Sequence, residues 1–238
     1  MNKLIKNALF CAIDMKDTDQ AVALIKEIKE HIDGIKIGME AFYAMGANGY
    51  LRLHDLGLPI FLDLKLHDIP NTVSSAIKSL LPLNPSIINI HTSGGSEMMK
   101  AAVEAISDIG INKPKLIGVT ILTSMNEHSF SEQGISLKVE QQVINLSTLA
   151  KECGLDGVVC SPLEVKNVKI KCGQDFLTIV PGIRPNNSVA DDQKRVLTPK
   201  EAIRNGADIL IVGRPITQAD DPNQAARSIK ESMIPYDY

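Results

Sequence analysis

The sequence has no excess of charge of either sign, no long apolar run and few cysteines, and each shortage removes a class of function. Its 238 residues carry 25 Lys and Arg against 28 Asp and Glu, a net charge of −3. That balance offers no basic surface for a nucleic-acid backbone, and no block of like charges forms an interaction tail. No apolar stretch approaches the roughly 18 residues of a membrane span. The opening MNKLIKNALFCAID places two lysines before an apolar run. Asp14 ends that run too early for a signal peptide, and no small-residue cleavage site follows. The four cysteines, Cys11, Cys153, Cys160 and Cys172, show no Cys-x-x-Cys spacing and sit in apolar segments or beside a helix end. They read as reduced structural thiols, and the expected compartment is cytoplasmic. His31, His54, His67 and His128 stand singly, without metal-ligand spacing, so no metal site is expected. No serine has the context of a nucleophile elbow.

What is present is an alternation. Short apolar runs rich in Ile and Val occur at 8–14, 34–38, 59–65, 86–92, 115–123, 156–161, 176–182 and 207–213. Apolar residues on consecutive positions mark parallel strands covered on both faces. No run is joined to the next by a two-residue hairpin turn, which argues against an antiparallel sheet. The stretches between them read as helices. Ala21, Leu24, Ile25, Ile28 and Ile32 recur at helical spacing, Thr198-Pro199-Lys200-Glu201 is a capping box that Gly206 can end, and Ser161-Pro162 can open another helix. Eight units of about 30 residues each, the length of a strand with its crossover helix, fill the chain. The expectation is a single (βα)8-barrel domain over residues 1–238. A doubly wound sheet shares the local pattern, but it often carries a Gly-rich fingerprint after its first strand, and here that strand runs into Asp14-Met15-Lys16.

Barrels of this kind hold their active sites at the C-terminal ends of the strands. Standing there are Asp14, Lys36, Asp63 with Lys65, His91, Thr120 and Thr123, Ser161, Gly182 with Arg184, and Gly213 with Arg214. Charges inside apolar strands are costly unless paired. The densest cluster is Asp63-Leu64-Lys65-Leu66-His67-Asp68, in which strand alternation turns Asp63 and Lys65 to the same side and Leu62 and Leu64 toward the helices. A fixed ammonium can give a proton to a developing carbanion, and a fixed carboxylate can repel a substrate carboxylate. The plain alternative is a lining salt bridge that only fills space. A second cluster, Gly213-Arg214-Pro215 after the last strand, suits phosphate: glycine admits close backbone approach and arginine supplies a fork of donors. The plain alternative there is an ordinary turn with a surface arginine. The long polar segment 184–197 reads as a lid carrying Arg184 and Gln193.

Asp63-x-Lys65-x-x-Asp68-Ile69-Pro-Asn-Thr72, preceded by Asp14 and Lys36, resembles the orotidine 5′-phosphate decarboxylase family. The likeness recurs in Val119-Thr120-Ile-Leu-Thr123-Ser124-Met125, in Pro181-Gly182-Ile183-Arg184-Pro185 with Asp191-Asp192-Gln193, and in Ile211-Val212-Gly213-Arg214-Pro215-Ile216. It implies loss of CO2 from orotidine 5′-monophosphate to give UMP, the last step of de novo pyrimidine nucleotide synthesis, with no metal or organic cofactor. By the resemblance, Lys65 is the general acid at pyrimidine C6, Asp63 lies against the departing carboxylate, and Lys36 and Asp68 complete an alternating charge network. Asp14, Lys36 and Thr72 would hold ribose hydroxyls and Thr123 the pyrimidine edge. Gln193, Arg214 and the Gly213 backbone would grip the phosphate, with Arg184 at the hinge of the lid. Asp68, Ile69 and Thr72 would come from the neighbouring subunit of a homodimer with shared sites, and neither nucleic acid nor membrane is an expected partner. Two alternatives accompany this reading. The metal-dependent sugar-phosphate relatives, 3-keto-L-gulonate 6-phosphate decarboxylase and hexulose-6-phosphate synthase, share a similar Asp-x-Lys-x-x-Asp but place an acidic ligand where this chain has Lys36. A barrel that binds a phosphorylated ligand without turning it over has no use for the charge network.

Overall fold

The structure, a computed structural model, describes residues 6–110, 113–184 and 196–234. Eight parallel strands close into a barrel in chain order, the first pairing with both the second and the last. They are β1 (Ala8–Ile13), β2 (Gly34–Gly38), β3 (Ile60–Leu66), β4 (Ile87–His91), β5 (Lys115–Val119), β6 (Gly157–Val159), β7 (Leu177–Val180) and β8 (Ile209–Val212). The helices on the outside are α1 (Thr18–Ile28), α2 (Met39–His54), α3 (Pro70–Leu80), α4 (Gly95–Glu104), α5 (Glu127–Glu132), α6 (Val139–Glu152), α7 (Val165–Cys172), α8 (Pro199–Arg204), α9 (Arg214–Thr217) and α10 (Pro222–Ser232). This is the expected (βα)8 barrel. Among the described residues, no helix is long and apolar enough to cross a membrane.

Alternation along each strand divides the core into two layers. Ala8, Phe10, Ala12, Phe61, Ile87, Ile117, Leu177, Ile179, Ile209 and Ile211 fill the barrel interior. Leu9, Cys11, Ile13, Ile35, Ile37, Leu62 and Leu64 point outward into the layer under the helices, where Ala21, Leu24, Ile25 and Ile28 of α1 meet them. Asp17 caps α1 by accepting from Gln20 N–H at 2.9 Å. The capping box of α8 forms as read, and the chain leaves that helix through Gly206 at φ 98°. The Ser161-Pro162 expectation needs adjustment. Ser161 Oγ accepts from Leu163 N–H at 3.2 Å and shapes a turn, so α7 begins only at Val165. All four cysteines are buried and none is in a disulfide, and burial pushes the Cys11 thiol up to about 12.

One buried ion pair sits away from the strand C-termini. Lys169 Nζ of α7 donates to Asp208 Oδ2 at 2.5 Å and to the carbonyls of Gln174 and Phe176, and the same carboxylate oxygen accepts from Thr178 N–H at 2.7 Å. Removing one partner of such a pair leaves an uncompensated buried charge. Asp208→Ala is therefore expected to cost about 3–5 kcal/mol of stability, read as a lower urea midpoint at unchanged m-value. A change under 1 kcal/mol would show that the pair contributes little.

Candidate active site

The C-terminal ends of the strands surround a cavity of about 320 Å³, within the range of small-molecule sites. Its apolar lining comes from barrel-interior side chains, Phe61, Val119, Val159, Ile179 and Ile211 among them, and its polar lining from the strand ends. β2 contributes Lys36 from between two glycines that share its face. A Cβ at Gly34 would lie 2.4 Å from the Phe10 ring, and one at Gly38 would lie 2.8 Å from Lys36 Nζ. The missing side chains make room for the aromatic floor and for the ammonium above it.

Four charges of alternating sign run across β1, β2 and β3. Lys36 Nζ is 2.9 Å from Asp14 Oδ1 and 3.7 Å from Asp63 Oδ2, and Lys65 Nζ is 2.7 Å from Asp63 Oδ1. The side chains of Lys36 and Asp63 are each only 11% exposed, so the pairing offsets a desolvation cost of several kcal/mol per ion. β3 reaches this arrangement through an irregularity. Leu62 pairs with Ile88 and Leu66 with Ile90, so four residues of β3 span two of β4. Within that bulge Lys65 adopts φ 53°, a left-handed conformation that side-chain-bearing residues seldom take. The alternation read from sequence holds, but a bulge delivers it, not a regular ladder.

Asn89, in the middle of β4, is the residue that sequence reasoning missed. It is fully buried; its Nδ2 donates to Asp63 Oδ1 at 2.6 Å, and its Oδ1 accepts the Lys65 backbone N–H at 2.8 Å. The available signal was an amide in an otherwise apolar strand, in phase with the inward-facing His91. His91 itself packs against His67, ring centroids 5.3 Å apart. Burial, with His67 and Lys65 adding to it, holds its imidazole below the usual range.

Asp14, Lys36, Asp63, Lys65, Thr123, Arg184, Gly213 and Arg214 all line the one cavity. Asp68 and Thr72 do not. Asp68 is exposed, its Oδ1 accepting from Ile69 N–H at 2.7 Å, and the neighbouring Ile69 side chain is 66% exposed. Thr72 lies exposed in the first turn of α3. Gln193 falls outside the described residues, as does most of the 184–197 segment; its ends meet in a bridge between Ile183 and Leu197. Among the described residues, no three His, Cys, Asp or Glu side chains group as metal ligands.

A family model described as the orotidine 5′-phosphate decarboxylase / HUMPS family matches residues 7–229. The chain belongs to this family. The orotidine 5′-phosphate decarboxylase of Paramagnetospirillum magneticum is 47% identical over 231 residues, covering 95% of this chain and 98% of that protein. The protein of the same name from Rhodospirillum rubrum is 44% identical over 242 residues, covering 100% of this chain and 98% of its own length. A crystal structure of orotidine 5′-phosphate decarboxylase from Lactobacillus acidophilus matches with a TM-score of 0.83 at 39% identity, over 95% of this chain and 98% of that one. Membership of the orotidine 5′-phosphate decarboxylase / HUMPS family thus extends over the whole barrel and includes every strand end that contributes to the cavity.

Proposed function

We propose that this chain decarboxylates orotidine 5′-monophosphate to UMP and CO2, closing de novo pyrimidine nucleotide synthesis, as a single barrel domain without metal or organic cofactor. The observation that carries the reading is the Asp14–Lys36–Asp63–Lys65 array at the mouth of an otherwise apolar cavity. Cleaving the C6–CO2 bond of a pyrimidine leaves an electron pair localised on a vinylic carbon. What the side chains lining the cavity offer that pair is fixed charge in an apolar surround, the arrangement that stabilises a localised anion when water is excluded. The C6 pair takes a proton from Lys65 Nζ, CO2 departs, and water returns the proton to the lysine. Asp63 holds Lys65 and faces the substrate carboxylate. Asp14 and Lys36 take ribose hydroxyls, Thr123 the pyrimidine edge, and Arg214 with the Gly213 backbone and Gln193 the phosphate, with Arg184 beside them.

The Lys36 ammonium separates this reading from metal-dependent sugar-phosphate chemistry. Lys36 Nζ sits between Asp14 and Asp63, where a divalent cation would have to displace it. Asp68, Ile69 and Thr72 lie exposed beside the mouth and outside its lining. Their contribution is to a neighbouring subunit's site in a homodimer with shared active sites. The four reduced thiols fit a cytoplasmic enzyme.

The test is the ultraviolet absorbance of orotidine 5′-monophosphate mixed with purified protein and EDTA. Conversion to the UMP spectrum is expected; no change, or binding without turnover, would refute the proposal, and activity lost to the chelator would point to the metal-dependent reaction. Arg214→Ala removes a charge-assisted contact worth about 1.5–3 kcal/mol, so kcat/KM should fall by roughly 10- to 150-fold in steady-state assays. Because phosphate binding energy can be expressed at the reacting carbon, part of that loss should appear in kcat.

A further inference from the structure

We infer that Asn89 is a positioning residue for the reaction: its amide holds Asp63 and the Lys65 backbone in a relation that brings both charges to the cavity. The inference deepens the decarboxylase reading and rests on it. Asp63 Oδ1 receives two donors, Lys65 Nζ at 2.7 Å and Asn89 Nδ2 at 2.6 Å. The second is fixed by a fully buried strand residue, so it sets where the carboxylate points. The other end of the same amide accepts Lys65 N–H at 2.8 Å. Because β3 bulges away from β4 between Leu62 and Leu66, that N–H is served here by a side chain, and the amide substitutes for the ladder. Lys65 adopts φ 53° at this point, a conformation that costs about 1–2 kcal/mol for a residue with a Cβ. It persists only where the surroundings over-determine it.

An asparagine is suited to this position because one planar group must donate to an anion and accept from an N–H across a short gap. Aspartate offers only acceptors when ionised, and leucine offers neither function. Asn89 touches Asp63 and Lys65 and does not line the cavity, so it acts through them.

The experiment compares Asn89→Ala and Asn89→Asp with the unmodified enzyme in two measurements, kcat for orotidine 5′-monophosphate and the dissociation constant of UMP. Asn89→Ala should lower kcat by about 10- to 100-fold, the effect of a misplaced acid–base group, with UMP affinity changed by no more than about three-fold. Asn89→Asp keeps the volume and the acceptor for Lys65 N–H but sets a carboxylate against Asp63 Oδ1, and should lose at least as much kcat. A packing role predicts the reverse order, with the isosteric variant close to the unmodified enzyme. The inference is overturned if either variant keeps near-full kcat, or if UMP affinity falls in step with kcat. Should the decarboxylase reading itself fail, the unmodified enzyme would show no turnover, a result distinguishable from equal turnover in all three proteins.

Discussion

Lys65→Ala is expected to lower kcat/KM for decarboxylation by at least about 10⁴-fold if Lys65 is the proton donor proposed above. Two losses combine: the proton donor, worth about 10²–10⁴ in rate, and the cation that faces the developing carbanion, worth about 10²–10³ for a comparable fixed electrostatic contact. Neither neighbour can substitute. Lys36 Nζ is engaged by Asp14 and Asp63, and Asn89 supplies no labile cationic proton. Lys65→Arg should fail almost as badly, since a guanidinium does not give up its proton and its planar fork does not fit the space of an ammonium. Lys65→Gly gives the control for folding. It loses the same side chain but relieves the left-handed backbone at φ 53°, so it should be more stable than Lys65→Ala by about 1 kcal/mol while equally inactive. Retention of near-full activity in Lys65→Ala would remove the lysine from the chemistry.

The parts of this site that could be read from the sequence are those carried by side-chain type and strand phase. Lys36 and Asp63 stand out because a charge inside a run of Ile and Leu needs a partner, and period-2 alternation places them on the same side as Gly38 and Phe61. Strand ends were less legible. The apolar run at 115–123 continues through Ile121 and Leu122, yet β5 stops at Val119 and Thr120 Oγ1 binds Val159 O at 2.8 Å. Residues 121–124 then leave the sheet to form cavity wall. Hydrophobicity cannot tell a strand from the apolar wall of the mouth that follows it. The bulge in β3 was invisible for a different reason. Leu62, Leu64 and Leu66 keep the outward phase whether or not the strand bulges, and the irregularity exists only in the pairing with β4. Asn89 was hidden with it, since the need for an amide appears once the Lys65 N–H lacks a ladder partner. Asp68, Ile69 and Thr72 are exposed and outside the cavity lining, and their proposed place in a neighbouring subunit's site is a relation that one protomer does not contain.

The charge array also explains why a net charge of −3 is compatible with a dianionic phosphate and a carboxylate in one ligand. The field that matters is local: Lys36, Lys65, Arg184 and Arg214 lie around one cavity, whose apolar walls lower the dielectric and strengthen each contact. Surface carboxylates beyond about one Debye length, roughly 8–10 Å in ordinary buffers, contribute little.

Asp63→Ala separates the two ways a carboxylate can contribute to such a reaction. Its side chain binds Lys65 Nζ at 2.7 Å and Asn89 Nδ2 at 2.6 Å, and stands 3.7 Å from Lys36 Nζ. Removing it leaves two ammonium groups facing each other with Asp14 as the remaining counter-charge, so Lys65 swings toward solvent and kcat falls by about 10³-fold or more. Binding moves in the opposite direction. In the proposed pose the carboxylate of orotidine 5′-monophosphate lies against Asp63, whereas UMP has no carboxylate there. Deleting the like charge should therefore tighten the substrate relative to UMP, and the ratio of their dissociation constants should shift about ten-fold toward the substrate, close to 1.4 kcal/mol. Lower kcat together with tighter substrate is the signature of removed ground-state repulsion. An unchanged ratio beside the same fall in kcat would assign Asp63 wholly to holding Lys65, and the repulsion would then contribute nothing to the rate.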